Sequence, residues 1–270
     1  MAITVNKSQT TRTLIRAIVN RPNAQIVFID TPGIHKPKTK LSEAMVETSF
    51  GTMKGVDLIL FMIDAASSEI GKGDRIILDK IREANQKTIL IINKIDLIQK
   101  ENLLSLMEQY RQEYEFLSII PIAAVKNKYK DRILDEIEKN IPCGPAYYNI
   151  DEYTDQTARQ LVEEVIREKA LSLLDQEVPH GLFVEVEKMS KKKTMQNEDI
   201  YQIEAVIFCL RKSHKGIIIG KEGSMLKRIG TNARHDLEKM LGIKINLKLW
   251  VKIKEDWQDN ESIVKKFRMT

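Results

Sequence analysis

The chain has 270 residues, 43% apolar and 30% charged, with a formal net charge of +5, an ordinary balance for a soluble globular protein. Its longest apolar run, VDLILFMIDAA, is cut by Asp57 and Asp64 and falls well short of the ~20 residues that a membrane span needs. The N-terminal MAITVNKSQTTR lacks the apolar core of a signal peptide, and Cys143 and Cys209 have no metal-ligand spacing, which leaves two free thiols of a reducing compartment.

Taken in order, LIRAIVN and AQIVFID read as strands divided by the turn-prone RPN, and LSEAMVETSFGTMKGV as a helix with Leu41, Met45 and Thr48 on one side. There follow DLILFMID (strand), GDRIILDKIREA (helix), KTILIINK (strand), NLLSLMEQYRQEY (helix), SIIPIAA (strand) and ILDEIEKNI (helix). Near-continuous apolar strands interleaved with amphipathic helices predict a doubly wound α/β domain, with a mostly parallel sheet covered on both faces. IPCGPAYYNIDEYTDQT breaks that rhythm, so the boundary is expected near 145–155, with a first domain over 1–145 and a linker over 146–156. Beyond it the order is helix (158–175), strand (GLFVEVEKM), strand (IYQIEAVIFCLR), two helices around KGIIIGKEGSMLKRIGTNARHDLEKMLG and a last strand, KINLKLWVKI. These form a second domain, 157–258. SKKKTMQNED is a polar hairpin loop, and the tail over 259–270 has no strong pattern.

Three features of the first domain carry chemistry. Asp30-Thr31-Pro32-Gly33 closes a strand, as a D-x-x-G beneath a γ-phosphate would. About 60 residues on, Asn93-Lys94-Ile95-Asp96 sits at the carboxyl end of another strand, where doubly wound sheets bind ligands. A carboxylate at Asp96 accepts from both N1–H and N2–H of guanine, Lys94 can lie along the base, and the Asn93 amide can tie loops together. SIIPIAAV then offers a third loop. Thr10 and Thr11 fall in a polar stretch of the kind that coordinates Mg²⁺ in a switch segment, although two threonines in a loop are usually just loop.

In the second domain, Gly220-Lys221-Glu222-Gly223 joins two helices. A G-x-x-G turn lets backbone approach a sugar-phosphate chain, as KH domains do with about four nucleotides of single-stranded RNA. Ile217, Ile218 and Ile219 are expected to form an apolar floor beside it, with Lys221, Lys227 and Arg228 supplying charge and Glu222 opposing it. Residues 208–254 hold 12 Lys/Arg against 3 Asp/Glu. The element order is that of a type II KH domain. Trp250 and Trp257 read as packing residues.

SQTTR, DTPGIHKPK, NKID, REKAL, EVPH, IIIGKEG, LKRIG and LWVKIKEDW, in this order, resemble segments of the Era family of GTPases over essentially the whole chain. The resemblance implies a P-loop-GTPase-like α/β domain followed by a type II KH domain, GTP or GDP with Mg²⁺ as ligands, and a role in small ribosomal subunit assembly. It also implies single-stranded RNA near the 3′ end of small-subunit ribosomal RNA as target. By motif match, Thr10 or Thr11 is the switch threonine, and Asp30, Thr31, Pro32, Gly33 and Ile34 face Mg²⁺ and the γ-phosphate. Asn93, Lys94, Ile95, Asp96 and Ala124 face the guanine. The family further suggests a monomer in the cytoplasm with peripheral contact to the inner face of the membrane. Two departures stand out. The third guanine loop reads Ala123-Ala124 rather than Ser-Ala, and the family's first strand, G-x-x-x-x-G-K-[ST] loop and first helix have no counterpart in these 270 residues. An N-terminally truncated domain of this kind is expected to be open or marginally stable and unable to hold GTP, with Mg²⁺ held through Thr11 only if the loop is restored. The alternative expectation is an RNA-binding protein that uses its KH surface alone.

Overall fold

A computed structural model describes residues 11–34, 36–67, 69–126, 129–175, 178–193 and 197–268. The first domain builds two separate hydrogen-bonded units. Strands β1 (Ile15–Asn20) and β2 (Gln25–Asp30) form an antiparallel hairpin closed by Arg21 N–H donating to Ala24 O at 2.8 Å. Strands β3 (Ile59–Asp64), β4 (Thr88–Asn93) and β5 (Ser118–Pro121) run parallel, with β4 in the centre. The expected mostly parallel, covered sheet is therefore realised in β3–β4–β5, while the first two strands form a separate two-stranded sheet that joins no other strand among the described residues.

Alternation along β4 sends Leu90 and Ile92 to one face and Ile89 and Ile91 to the other. The first face packs Leu78 and Ile81 of α2 (Lys72–Ala84) and Leu106 and Tyr110 of α3 (Lys100–Glu113). On the second face lies α4 (Lys130–Asn140), whose Leu134 and Ile137 also reach Ile26 of β2. That contact bridges the two strand units. Between β2 and β3 runs a cleft of about 1920 Å³, lined by both strands, α4 and residues 141–148. Helix α1 (Lys40–Thr52) follows D-x-x-G and starts on a capping box, Thr39 Oγ1 accepting from Ser42 N and Ser42 Oγ from Thr39 N.

The connecting segment is not a loose tether. Tyr147 and Tyr148 N–H donate to Gln25 Oε1, Ile18 N–H donates to Tyr153 O at 2.9 Å, and Thr154 bridges Ala17. The second domain has the predicted order: α5 (Ala158–Leu173), β6 (Phe183–Lys193), β7 (Asp199–Cys209), α6 (Lys212–Ile219), α7 (Ser224–Leu241) and β8 (Lys244–Ile253). β6 and β7 are antiparallel, and β7 and β8 are parallel because the α6–α7 crossover returns the chain to the same end.

The tail corrects the expectation that it lacks pattern. Residues 261–268 form α8 (Glu261–Arg268), and Ile263 and Val264 pack with Leu41, Ala44 and Met45 of α1 around Trp257. Two turns are too short for periodicity to announce a helix, and the face it covers lies some 220 residues upstream in α1.

Candidate functional sites

The first site sits at the carboxyl ends of β2, β3 and β4. Thr11 Oγ1 donates to Asp30 Oδ2 at 2.8 Å, so the polar stretch before β1 is tied to the end of β2. Burial raises the Asp30 carboxyl above the usual carboxylate range. The bond from Thr11 opposes this, Glu164 adds to it, and the Thr31 backbone opposes it. Pro32 is buried, and its carbonyl accepts from the Ser49 hydroxyl of α1 at 2.9 Å. Thr31, Gly33 and Ile34 line the cleft with Asp30 and Ala124. Thr10 lies outside the described residues.

Asp64 and Asn93 face each other in register at the ends of β3 and β4. Asn93 Oδ1 accepts from Lys94 N at 2.7 Å and from Ala124 N at 3.0 Å, tying the third loop to the second. Ile95 N–H adds a bond to Ile122 O. Lys94 takes a left-handed conformation (φ 63°, ψ 31°), and its ammonium lies 2.6 Å from Asp64 Oδ2. That ammonium holds the Asp64 carboxyl below the usual range, helped by Ala66 N–H. Asp96 is exposed in the short turn Ile95–Leu97. Asp64 was not among the residues singled out in the sequence, although its place at a strand's carboxyl end marks it.

Arg12, next to Thr11, was missed altogether. Its side chain is 3% exposed and donates to Leu182 O at 2.5 Å and His180 O at 2.9 Å, with the guanidinium 5.5 Å from the Trp257 ring centre. Burial, joined by the nearby Arg167 cation and opposed by Glu164, lowers its pKa to about 9. Thr11 thus touches Asp30 while its neighbour is anchored in the second domain. No local pattern signals a buried arginine, because its acceptors are carbonyls 168 and 170 residues away.

The second site is the turn between α6 and α7. Gly220 has φ 72° and ψ 176°, and a Cβ there would meet Met225 N at 2.9 Å, so both conformation and space demand glycine. Glu222 (φ 52°) and Gly223 (φ 78°) are also left-handed. Around Gly223 a Cβ would meet nothing within 4 Å, so its backbone is open to a ligand. Gly223 is the N-cap of the 18-residue α7 and offers no side-chain cap, which leaves amide donors at the helix start. Lys221, Glu222, Lys227 and Arg228 are exposed. The expected isoleucine floor is corrected: Ile218 is fully buried in the domain core, Ile219 packs partly against it, and Ile217 alone is half exposed. Successive residues of one helix point about 100° apart, so three in a row cannot share a face.

Residues 177–258 match the model of the KH domain, and residues 1–94 match that of a 50S ribosome-binding GTPase. GTPase Era of Thermoanaerobacter sp. is 47% identical over 266 residues, 98% of this chain and 87% of the relative. The chain belongs to the Era family of GTPases. GTPase Era of Clostridioides difficile is 47% identical over 268 residues, 99% of this chain and 89% of that protein. Era solved with MgGDPNP and nucleotides 1506–1542 of 16S ribosomal RNA superposes with a TM-score of 0.92 at 38% identity, covering 98% of this chain and 89% of that one. An Aquifex aeolicus Era variant bound to GDP and AlF4⁻ gives the same TM-score and coverage at 37% identity.

Those ligands are the groups to test against the residues of this Era-family chain. The base end fits: Asp96 is an exposed carboxylate of the kind that accepts from guanine N1–H and N2–H, and Asn93 holds both flanking loops. Asp30 and Thr11 are adjacent hard oxygen donors of the kind Mg²⁺ takes. The phosphate end fits only in part, since the 270 residues contain no G-x-x-x-x-G-K-[ST].

Proposed function

We propose that this chain is an RNA-holding member of the Era family that takes single-stranded sequence near the 3′ end of small-subunit ribosomal RNA on its G-x-x-G turn and assists small-subunit assembly. The observation that carries this reading is the turn itself. Gly220, Glu222 and Gly223 all have positive φ, Gly223 opens to solvent, and the uncapped start of α7 adds amide donors beside Lys221, Lys227 and Arg228. Guanine nucleotide and Mg²⁺ are the ligands of the first site, with Asp96, Asn93, Lys94, Ile95 and Ala124 toward the base. Asp30, Thr11 and the segment Thr31–Ile34 face the cation and terminal phosphate. Bound there, the nucleotide would supply a γ-phosphate whose presence the Thr11–Asp30 contact can register. Ile34 offers no side-chain amide to orient a water, so fast hydrolysis assisted by a glutamine in cis is not expected. A cytoplasmic monomer with peripheral membrane contact completes the proposal. Among the described residues no helix is long and apolar enough to cross a membrane.

Gly223→Asp tests the turn. Aspartate tolerates the left-handed region and meets no neighbour there, so the fold should persist while a negative charge faces the phosphates. Binding of an oligonucleotide matching the rRNA 3′ end should be lost with the melting temperature nearly unchanged. Unchanged affinity removes the turn from the interface.

A second reading, RNA binding independent of nucleotide, applies to these 270 residues taken by themselves, which contain no G-x-x-x-x-G-K-[ST]. A bidentate base contact contributes about 1–3 kcal/mol, whereas millimolar affinity already needs about 4 kcal/mol. Fluorescent GDP should therefore bind these 270 residues more weakly than millimolar. Micromolar binding that is lost in Asp96→Asn would refute the second reading.

A further inference from the structure

The two faces of the β6–β7–β8 sheet have different fates. Ile203, Ala205, Ile207, Ile245 and Val251 join the core beneath the helices, and Leu249 reaches the place a Cβ on Gly230 of α7 would occupy, at 3.3 Å. The alternate residues of β7 and β8 therefore point away from the helices. At one end this outer face is covered. Phe183 and Phe208 stack 4.6 Å apart there, closed over by Trp257 and α8. Toward the hairpin tip it is open. The register sets Lys192, Ile200 and Lys244 in one row and Lys188, Glu204 and Lys248 in another, with Trp250 two residues further along β8.

Lys188, Lys192, Lys244 and Lys248 are exposed, and Trp250 is 41% exposed. Neighbouring lysines are occupied: Lys191 pairs with Asp199 and Lys252 with Glu187, each at 2.6 Å. Among the described residues none of the four forms an ion pair, and Glu204 is the one carboxylate in those rows. By sheet geometry the four lysines span roughly 10 Å across the strands and roughly 13 Å along β8, and Trp250 lies roughly 7 Å beyond Lys248. β8 is the edge strand, and α6, which leads into the G-x-x-G turn, packs against it.

We propose that this outer face is a second RNA surface, Lys188, Lys192, Lys244 and Lys248 receiving phosphates and Trp250 stacking on a base. An RNA held at the G-x-x-G turn then continues around the β8 edge onto the far side of the sheet. The proposal rests on the RNA-binding reading above and extends its footprint beyond the turn. Cations without ion-pair partners spaced along an open sheet face match a polyanion, and an aromatic ring beside them is a stacking platform. A lipid surface fits less well, because membrane-surface binding relies on a cluster of apolar side chains, and beside these rows Trp250 alone is a large exposed apolar residue of the outer face.

The test compares the full chain with Trp250→Ala and with the double variant Lys244→Gln/Lys248→Gln, using single-stranded RNAs of about 6 and about 24 nucleotides. The short RNA fills the G-x-x-G turn only, so its affinity should be the same for all three proteins. For the long RNA, Trp250→Ala should weaken binding about tenfold, and the lysine pair should flatten the dependence of log K on log salt by about 1.4. Equal affinities for the long RNA overturn the proposal, as does equal weakening for both lengths. Phosphatidylglycerol vesicle binding lost in the variants while long-RNA binding persists also overturns it, in favour of a membrane surface. Gly223→Asp, read with the short RNA, reports separately on the G-x-x-G reading.

Discussion

Asp30 shows how one residue's surroundings set its contribution to stability. Its carboxyl is raised above the ordinary range, mainly by burial, with Thr11 opposing and Glu164 reinforcing. With the folded pKa above the unfolded one, the folded state binds more protons inside that window. The unfolded-minus-folded proton difference is then negative, and stability falls as pH rises through it. Asp30→Asn keeps the shape and an oxygen for Thr11 while removing the charge. The variant should be more stable than wild type at about pH 7 and equal to it at about pH 3, where the aspartate is neutral. Urea titrations at the two pH values check this, and no difference at about pH 7 would show that the ionised carboxylate costs nothing. The motifs D-x-x-G, N-K-x-D and G-x-x-G were legible because each is local: a strand end, or a turn whose φ values only particular residues tolerate. Arg12 and Glu164 were not, since what makes them matter is a neighbour from the other domain.

Among elements, α8 and the segment around Trp257 decide how the two domains meet. Trp257 is fully buried, donates Nε1–H to Gly181 O at 3.0 Å, and lies 4.5 Å from the Phe183 ring and 5.5 Å from the Arg12 guanidinium. Around it, α1 contributes Leu41 and Met45, and Lys40 N–H donates to Asp259 Oδ1. The helix that follows D-x-x-G and the residue that follows Thr11 are thereby fastened to one hydrophobic cluster. Trp257→Ala should cost about 3–5 kcal/mol by equilibrium denaturation, because it removes a filled core volume and leaves Gly181 O without its donor. A loss below about 1 kcal/mol would mean that the cluster is not what joins the domains. Trp250 differs from Trp257 in a way the strand itself encodes. It alternates with Leu249 and Val251, which face the helices, so period-2 counting places it outward. The reading of both tryptophans as packing residues holds for Trp257, whereas Trp250 stands on the open face.

Across the whole molecule, stability is expected to be uneven. The second domain has a closed core running from α5 to β8, whereas the first is divided by the cleft between β2 and β3, bridged through α4 and Ile26. The edges of β2 and β3 that face this cleft pair with no strand among the described residues. Native-state hydrogen exchange should find amides of β4 and β7, paired on both sides, among the most protected, and those of β2 and β3 on the cleft side exchanging quickly. Thermal unfolding should show two steps, the first domain before the second. A single cooperative transition with uniform protection would mean that α4 and the Trp257 cluster bind the halves into one unit.

Period and turn chemistry are properties of a few consecutive residues, so the order of strands and helices and the three motifs could be read in one dimension. Burial is not such a property. That Ile218 belongs to the core, that Arg12 reaches the carbonyls of His180 and Leu182, that residues 261–268 coil against α1, and that a cleft divides the first domain all follow from surfaces meeting across large sequence separations. Such contacts are chosen by the total apolar area that packing removes from water, which no short window of sequence contains.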